Sequence, residues 1–359
     1  MKHLSSFGIG LAIFSMFFGA GNSIFPIFVG CSSKGLWHIA LLGLASTAVI
    51  MPILGILGVL RASGSPLLFF GRIGKTPGLI MALIVISLLG PLGSTPRCIA
   101  LSYATLISEK AISMPLFALL ACLLIFFCSL KKRLILPIIG YVLTPILLLS
   151  LVTIILVGLL SGPIEISNEP KMWPIFTFGV LEGYKTMDLL AAFFFSSTIF
   201  QLLSKRENAR HLLIKGGLIG GALLVLVYGG FCLVASIHSQ VLSEVAQEQL
   251  LAKLAQIVLG PRSSLIVRTA IALACLTTAI ALITSFTDFL RTTVFKKKFS
   301  YPLLLALSLC LTYCVAIFEF ASIARMLTPL LQVIYPLSIA LTLINCFWNR
   351  KPELNSLVS

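Results

Sequence analysis

The sequence predicts an all-α polytopic membrane protein of ten transmembrane helices, and three observations predict it. Hydrophobic residues fill 58% of the 359 positions and charged residues only 10%, against about 45–50% and about 25% in soluble domains. The apolar residues gather in runs close to the roughly 20 needed to cross a bilayer. The basic residues concentrate in alternate loops, the pattern that marks a cytoplasmic side.

Taken in order, the runs lie near residues 6–30, 36–60, 78–107, 114–130 and 134–161, then 175–203, 211–237, 263–289, 300–318 and 321–347. The first follows a short polar start without a convincing small-residue cleavage site, so it reads as a retained span. Ten crossings put both termini on one side. With that side cytoplasmic, seventeen Lys and Arg fall inside: Lys2; Arg61, Arg72 and Lys75; Lys131, Lys132 and Arg133; Lys205, Arg206, Arg210 and Lys215; Arg291 and Lys296 to Lys298; Arg350 and Lys351. Seven fall outside (Lys34, Lys110, Lys171, Lys253, Arg262, Arg268, Arg325), and Arg97 and Lys185 lie within the hydrophobic pattern. The net charge of +15 is thereby a matter of membrane orientation, with clusters such as Lys296–Lys298 facing anionic lipids, and needs no nucleic-acid partner. Nine cysteines scattered without CxxC or Cys/His spacing indicate neither a disulfide framework nor a zinc site.

Two loops carry expectations of their own. Residues 61–78, rich in Gly, Pro and Ser, are predicted irregular. Residues 238–262 hold Val241, Leu242, Val245, Leu250 and Leu251 beside Glu244, Glu248 and Lys253. They read either as a short amphipathic helix on the outer face or as an ordinary surface loop.

Ten spans divide into two sets of five, and because five is odd the second set enters the membrane inverted. Such repeats carry interrupted helices that bind solutes and ions near the midplane. The expectation is a single domain, 1–359, of two repeats (about 6–161 and 175–347) with spans 1 and 6 discontinuous.

Span 1 supplies Gly19, Ala20, Gly21, Asn22 and Pro26, poor material for a continuous helix. A break there leaves free N–H groups and a positive dipole end suited to a carboxylate, and free carbonyls suited to a cation. The alternative is a small-residue packing notch. Span 6 places Glu182, Lys185 and Asp188 around Gly183. A charge at mid-bilayer costs about 2.5–3.5 kcal/mol on insertion scales, which marks Asp188, the deepest, as a ligand for an amine or an ion. Glu182 and Lys185 read more simply as a helix pair at the outer interface.

Span 3 carries two prolines, Pro91 and Pro96, that bend it, and an Arg97 that needs either a partner on another helix (Asp188, Glu182 or a substrate carboxylate, in a gate-like position) or escape to the outer interface. Span 8 offers Ala274, Thr277 and Thr278, oxygen ligands for a hard cation or hydroxyls bonded to their own helix. In span 10, Tyr335 and Pro336 mark a kink, beside the pathway or a plain one.

These residues recur in a known arrangement. The segments FFGAGNSIFP (Phe17–Pro26), GPLGSTPR (Gly90–Arg97), GYKTMD (Gly183–Asp188), ACLTTAIAL (Ala274–Leu282) and VIYPLSIAL (Val333–Leu341) resemble, in order and over nearly the whole length, the bacterial branched-chain amino acid carrier family of the amino acid–polyamine–cation superfamily. The resemblance implies a symporter of leucine, isoleucine and valine in the bacterial cytoplasmic (inner) membrane, driven by a sodium or proton gradient, with no other cofactor, and with the five-plus-five inverted fold. It implies a sodium site on carbonyls near Ser15 and Phe18, the Ala274 carbonyl and the Thr277 and Thr278 hydroxyls. The substrate carboxylate falls against Gly19, Ala20 and Gly21, with Asn22, Gly183, Asp188 and Arg97 as further substrate contacts. Family members carry further spans after the tenth, so a transport-inactive relative acting as a sensor is the alternative. A membrane-embedded enzyme using Asp188, Glu182 or Asp288 is a weaker one: the four histidines (His3, His38, His211, His238) lie at ends and loops, and no metal or phosphate motif is present.

Overall fold

A computed structural model describes residues 5–107, 112–130, 144–160 and 171–348 apart from 204, 205 and 207. Lys2, His3, Lys110, Lys131, Lys132, Arg133, Lys205, Arg350, Lys351 and the start of the fifth expected span lie outside them. Among the described residues every regular element is a helix.

Five helical stretches are long and apolar enough to cross a bilayer: Trp37–Arg61, Lys75–Leu106, Ala209–Ile237, Ser264–Val294 and Phe320–Phe347. The first contains α3 (Trp37–Ala45) and α4 (Met51–Arg61), joined by one π-helical segment, Ser46–Ile50. The second contains α6 (Lys75–Leu89) and α7 (Ser94–Leu106), with the short α5 (Pro66–Phe70) before them. Two further crossings are bent pairs: α1 (Ser6–Phe17) with α2 (Ala20–Cys31) at 77°, and α10 (Met172–Tyr184) with α11 (Asp188–Leu203) at 42°. Shorter apolar helices are α8 (Met114–Leu130), α9 (Thr144–Gly158) and α15 (Tyr301–Ala316). The remaining long elements are α12 (Ala209–Ile237), α14 (Leu250–Phe289) and α16 (Phe320–Phe347), with the one-turn α13 (Ser239–Leu242) on the loop after α12.

The breaks follow from local chemistry. At the end of α1 the Gly19 N–H donates back to the Phe17 carbonyl at 2.7 Å, so the Ser15 carbonyl loses the donor that a continuing helix supplies. Gly19 is extended (φ −110°, ψ −154°) and α2 starts afresh beyond it. In the sixth crossing the N–H groups of Lys185, Thr186 and Met187 tighten onto the carbonyls of Glu182, Gly183 and Tyr184. Met187 then takes φ 65°, a sparsely populated conformation for a side-chain-bearing residue, before α11 begins at Asp188. A third interruption, the turn at 90–93 between α6 and α7, goes further than the bend expected from its prolines.

Packing sets these breaks side by side. α1 and α2 lie on α12, while α3 and α4 lie on α10 and α11, and α7 lies on α14. Small residues permit the contacts. A Cβ on Gly183 would run into the Thr47 side chain and lie 3.0 Å from the Leu44 carbonyl oxygen.

Both loop expectations are refined. Residues 66–73 are helical turns rather than irregular chain, because Phe69 and Phe70 are fully buried against Phe193, with ring centroids 4.5 and 5.3 Å away. The loop's Ser65 and Pro66 serve as helix-start residues, the Ser65 hydroxyl accepting the Leu68 N–H. In the other loop, the helix from Leu250 runs to Gly260 (φ 79°), where a kink precedes Pro261. Leu250, Leu251, Leu254 and Ala255 are buried, so this amphipathic face packs on protein.

Candidate functional site

The two bent crossings meet at a small cavity. Gly19, Ala20, Gly21 and Asn22 line it from the first break, Thr186, Met187 and Asp188 from the second, Arg97 and Cys98 from α7, and Thr278 from α14. Its free volume is about 20 Å³, room for about one water molecule, which needs roughly 10–15 Å³. An amino acid enters only if the surrounding helices move.

The carboxylate of Asp188 is the hub of the polar contacts. The Asn22 amide donates to its Oδ2 at 2.7 Å and also to the Tyr228 hydroxyl, and that hydroxyl donates to the same Oδ2 at 3.3 Å. All three side chains are at most 1% exposed. One shared oxygen thus ties α2, α11 and α12 together. Nothing in the sequence marks Tyr228, a hydroxyl on a glycine-rich span whose partner Asn22 is 206 positions away. A second tyrosine, Tyr335, accepts the Leu189 N–H at 3.2 Å and stacks on Tyr184 at 4.6 Å. It thereby satisfies one of the donors left free at the start of α11.

On the other side of the cavity the first break presses against α14. A Cβ on Gly19 would lie 3.0 Å from Thr278 Cγ2, so this approach depends on glycine. The Thr278 hydroxyl is buried without a hydrogen-bond partner, whereas the Thr277 hydroxyl donates to the Ala274 carbonyl at 2.8 Å. Ser15 and Phe18 are buried at the end of α1, with the Phe18 N–H donating to the Phe14 carbonyl at 2.8 Å. Among the described residues no cluster of three His, Cys, Asp or Glu could hold a metal. Cys98 was not singled out from the sequence, yet its sulfur touches both the Ala20 N–H and the Cys275 thiol.

Arg97 is 2% exposed, which excludes escape to the interface. Nη1 donates to the Lys185 carbonyl at 2.9 Å, and the guanidinium carbon lies 5.3 Å from the centroids of both Phe25 and Phe320. Nη1 also lies 3.6 Å from the Met187 sulfur, so the partners of Arg97 are a carbonyl, a thioether and two aromatic rings, where a carboxylate had been expected. Glu182 and Lys185 do form the expected pair, at 2.5 Å, but Glu182 is only 4% exposed, inside the protein rather than at the interface. Gly183 lies against Thr47 and Leu44, away from the cavity wall.

A second cavity, about 580 Å³, opens at the end of the bundle that carries the loops of Arg61–Lys75 and Arg291–Lys298, and is lined by Ser65, Gln201, Thr284 and Asp288 among others. Met16 lines both cavities, so its side chain forms part of the partition between the closed site and this wide vestibule.

Comparison with known proteins gives these features a setting. Residues 2–357 match the family described as branched-chain amino acid transport protein. The branched-chain amino acid permease BrnQ of Lactobacillus delbrueckii subsp. lactis is 29% identical over 367 residues, covering 96% of this chain and 81% of the permease. A Staphylococcus epidermidis protein provisionally named a branched-chain amino acid carrier is 29% identical over 363 residues, covering 94% of this chain and 80% of its own.

Proposed function

The chain belongs to the branched-chain amino acid transport protein family, a family of transporters and not of enzymes, and from that premise we propose that it is a secondary symporter importing leucine, isoleucine or valine with a sodium ion or proton. The observation that carries the reading is the meeting of two broken crossings at a closed polar cavity in an otherwise apolar bundle. Bare main chain is tolerated at membrane depth where it lines such a cavity.

In this reading the α-carboxylate of the substrate lies at the start of α2, against Gly19, Ala20 and Gly21, where the positive end of the helix dipole favours an anion. Its ammonium lies towards Asp188 and Asn22. The apolar side chain takes the remaining wall, from Phe195, Ala191 and Leu282. A coupling cation takes the other face of the break, from carbonyls of Ser15 and Phe18, the Ala274 carbonyl and the hydroxyls of Thr277 and Thr278. The unpartnered Thr278 hydroxyl supports that assignment, since a buried polar group left without a partner costs about 1–3 kcal/mol.

We assign ten spans by adding the three shorter apolar helices to the seven long or bent crossings, with both termini on the cytoplasmic side of the inner membrane. The packing supports an inverted repeat: exchanging the first crossing with the sixth and the second with the seventh turns the α1–α12 contact into the contact of α10 with α3. On this sidedness the 580 Å³ vestibule faces the cytoplasm, and the conformation is closed to the outside. Transport is then a rocking of the first, second, sixth and seventh crossings against the rest, with each inward charge gaining about 2.3 kcal/mol per 100 mV.

The test is accumulation of labelled leucine by proteoliposomes with sodium, proton or no gradient imposed. Gradient-dependent accumulation that unlabelled isoleucine and valine suppress is expected. Absence of accumulation under every gradient overturns the carrier reading and leaves the sensor alternative.

A further inference from the structure

Five charged or aromatic side chains at or beside the cavity, Arg97, Phe25, Phe320, Lys185 and Glu182, have no role in the binding scheme above. Arg97 reaches from α7 to lie against two rings, Phe25 of α2 and Phe320 at the first residue of α16, 5.3 Å from each centroid, and the two rings pack on one another at 6.5 Å. Its Nη1 grips the Lys185 carbonyl in the second break. One guanidinium therefore joins two scaffold elements, α7 and α16, to the two pieces that must part if the site is to open away from the vestibule, α2 and the α10–α11 break. Lys185 shares the Phe25 ring at 5.9 Å, and its ammonium is taken by Glu182.

Two atoms of this cluster are buried with no hydrogen-bond partner: Arg97 Nε, a charged donor, and Glu182 Oε2, a charged acceptor. They are complementary, and the charges of both Asp188 and Glu182 act on the guanidinium. Leaving both unmatched is costly in a low-dielectric interior, so the closed arrangement keeps in reserve an interaction that a different arrangement can make. Separation of α2 from α16 removes the aromatic faces from the guanidinium and frees it to turn towards Glu182.

We propose that Arg97 is a two-position latch on the outer closure of the site: it holds the site shut by bracing the packed rings of Phe25 and Phe320, and it is held in the open position by Glu182. This rests on the carrier reading for the sidedness alone; the residues are positioning groups that do not need to touch substrate. The arrangement makes substitutions on the two sides of the latch act in opposite directions, which no loss of general stability does.

The experiment uses the full chain in sealed vesicles with Ala191, on the cavity wall, replaced as Ala191→Cys. A membrane-impermeant methanethiosulfonate is added to the face opposite the Arg61–Lys75 loop, and modification of residue 191 is followed by peptide mass spectrometry. Arg97→Gln and, independently, Phe320→Leu are expected to raise the modification rate about tenfold, and Glu182→Gln to lower it several-fold. Unchanged rates in both Arg97→Gln and Phe320→Leu, or a rate raised by Glu182→Gln, overturn the latch. Leucine accumulation by the chain with Ala191 intact, in vesicles prepared alongside, separates the two ideas: opposite shifts without any accumulation leave the latch standing and remove the carrier reading, while accumulation without shifts removes only the latch.

Discussion

Thr278→Val gives the sharpest test of the ion site, because its effects on stability and on transport have opposite signs. The hydroxyl of Thr278 is buried and unpartnered, and such a group carries a penalty of about 1–3 kcal/mol. Valine has nearly the same shape and no hydroxyl, so without sodium the variant is expected to be as stable as the parent or about 1 kcal/mol more stable. If the hydroxyl ligates the coupling ion, its removal costs at least the roughly 10–100-fold in affinity that follows loss of even an outer-shell partner, or about 1.4–2.8 kcal/mol. The assay is leucine uptake against sodium concentration in proteoliposomes, read beside thermal unfolding in sodium-free and sodium-containing detergent. The half-saturating sodium concentration should rise tenfold or more, and sodium should lose most of its stabilising effect. Equal sodium dependence in parent and variant refutes the reasoning, whatever happens to stability. Thr277 serves as the contrast, since its hydroxyl already has the Ala274 carbonyl at 2.8 Å and Thr277→Val therefore carries a stability loss of its own.

Asp188→Asn keeps an acceptor for the Asn22 amide but removes the charge. Hydrogen bonds to charged groups are worth about 1.5–3 kcal/mol against about 0.5–1.5 for neutral ones, so the apparent leucine affinity should fall roughly tenfold while the protein stays folded; an unchanged KM contradicts the ammonium assignment. Gly183→Ala drives a methyl group into the Thr47 side chain and should destabilise the protein by about 1–3 kcal/mol, the usual cost of overpacking, read as a lower Tm at unaltered KM. A shifted KM at parental stability would instead return Gly183 to the substrate site.

The sequence made both breaks legible because their causes are local. Glycines, a proline and charges inside an apolar run are visible without knowing what surrounds them, and Gly19–Asn22 and Gly183–Asp188 are indeed where the first and sixth crossings turn. What could not be read depends on partners far away in the chain. Tyr228 is one hydroxyl among glycines until α12 packs on α2, and Phe25 and Phe320 are two of 25 phenylalanines until Arg97 lies against both. The loop at 61–78 misled through composition, since Ser65, Pro66 and Gly74 mark helix ends there rather than irregular chain. The informative signal was the Phe69–Phe70 pair, whose buried area outweighs the flexibility of its neighbours.

The shared oxygen of Asp188 suggests why binding and movement are coupled in this family reading. A ligand shifts a conformational equilibrium only by its difference in affinity for the two states. In the closed arrangement Asp188 Oδ2 is already occupied by donors from α2 and α12, so a substrate ammonium must compete with the contacts that fasten those helices to α11. Replacing the Asn22 amide by an ammonium exchanges a contact that locks the two breaks together for one that travels with the substrate. The same carboxylate then favours one helix arrangement when loaded and another when free, and the gain it offers the substrate is the measure of the work it can do on the helices.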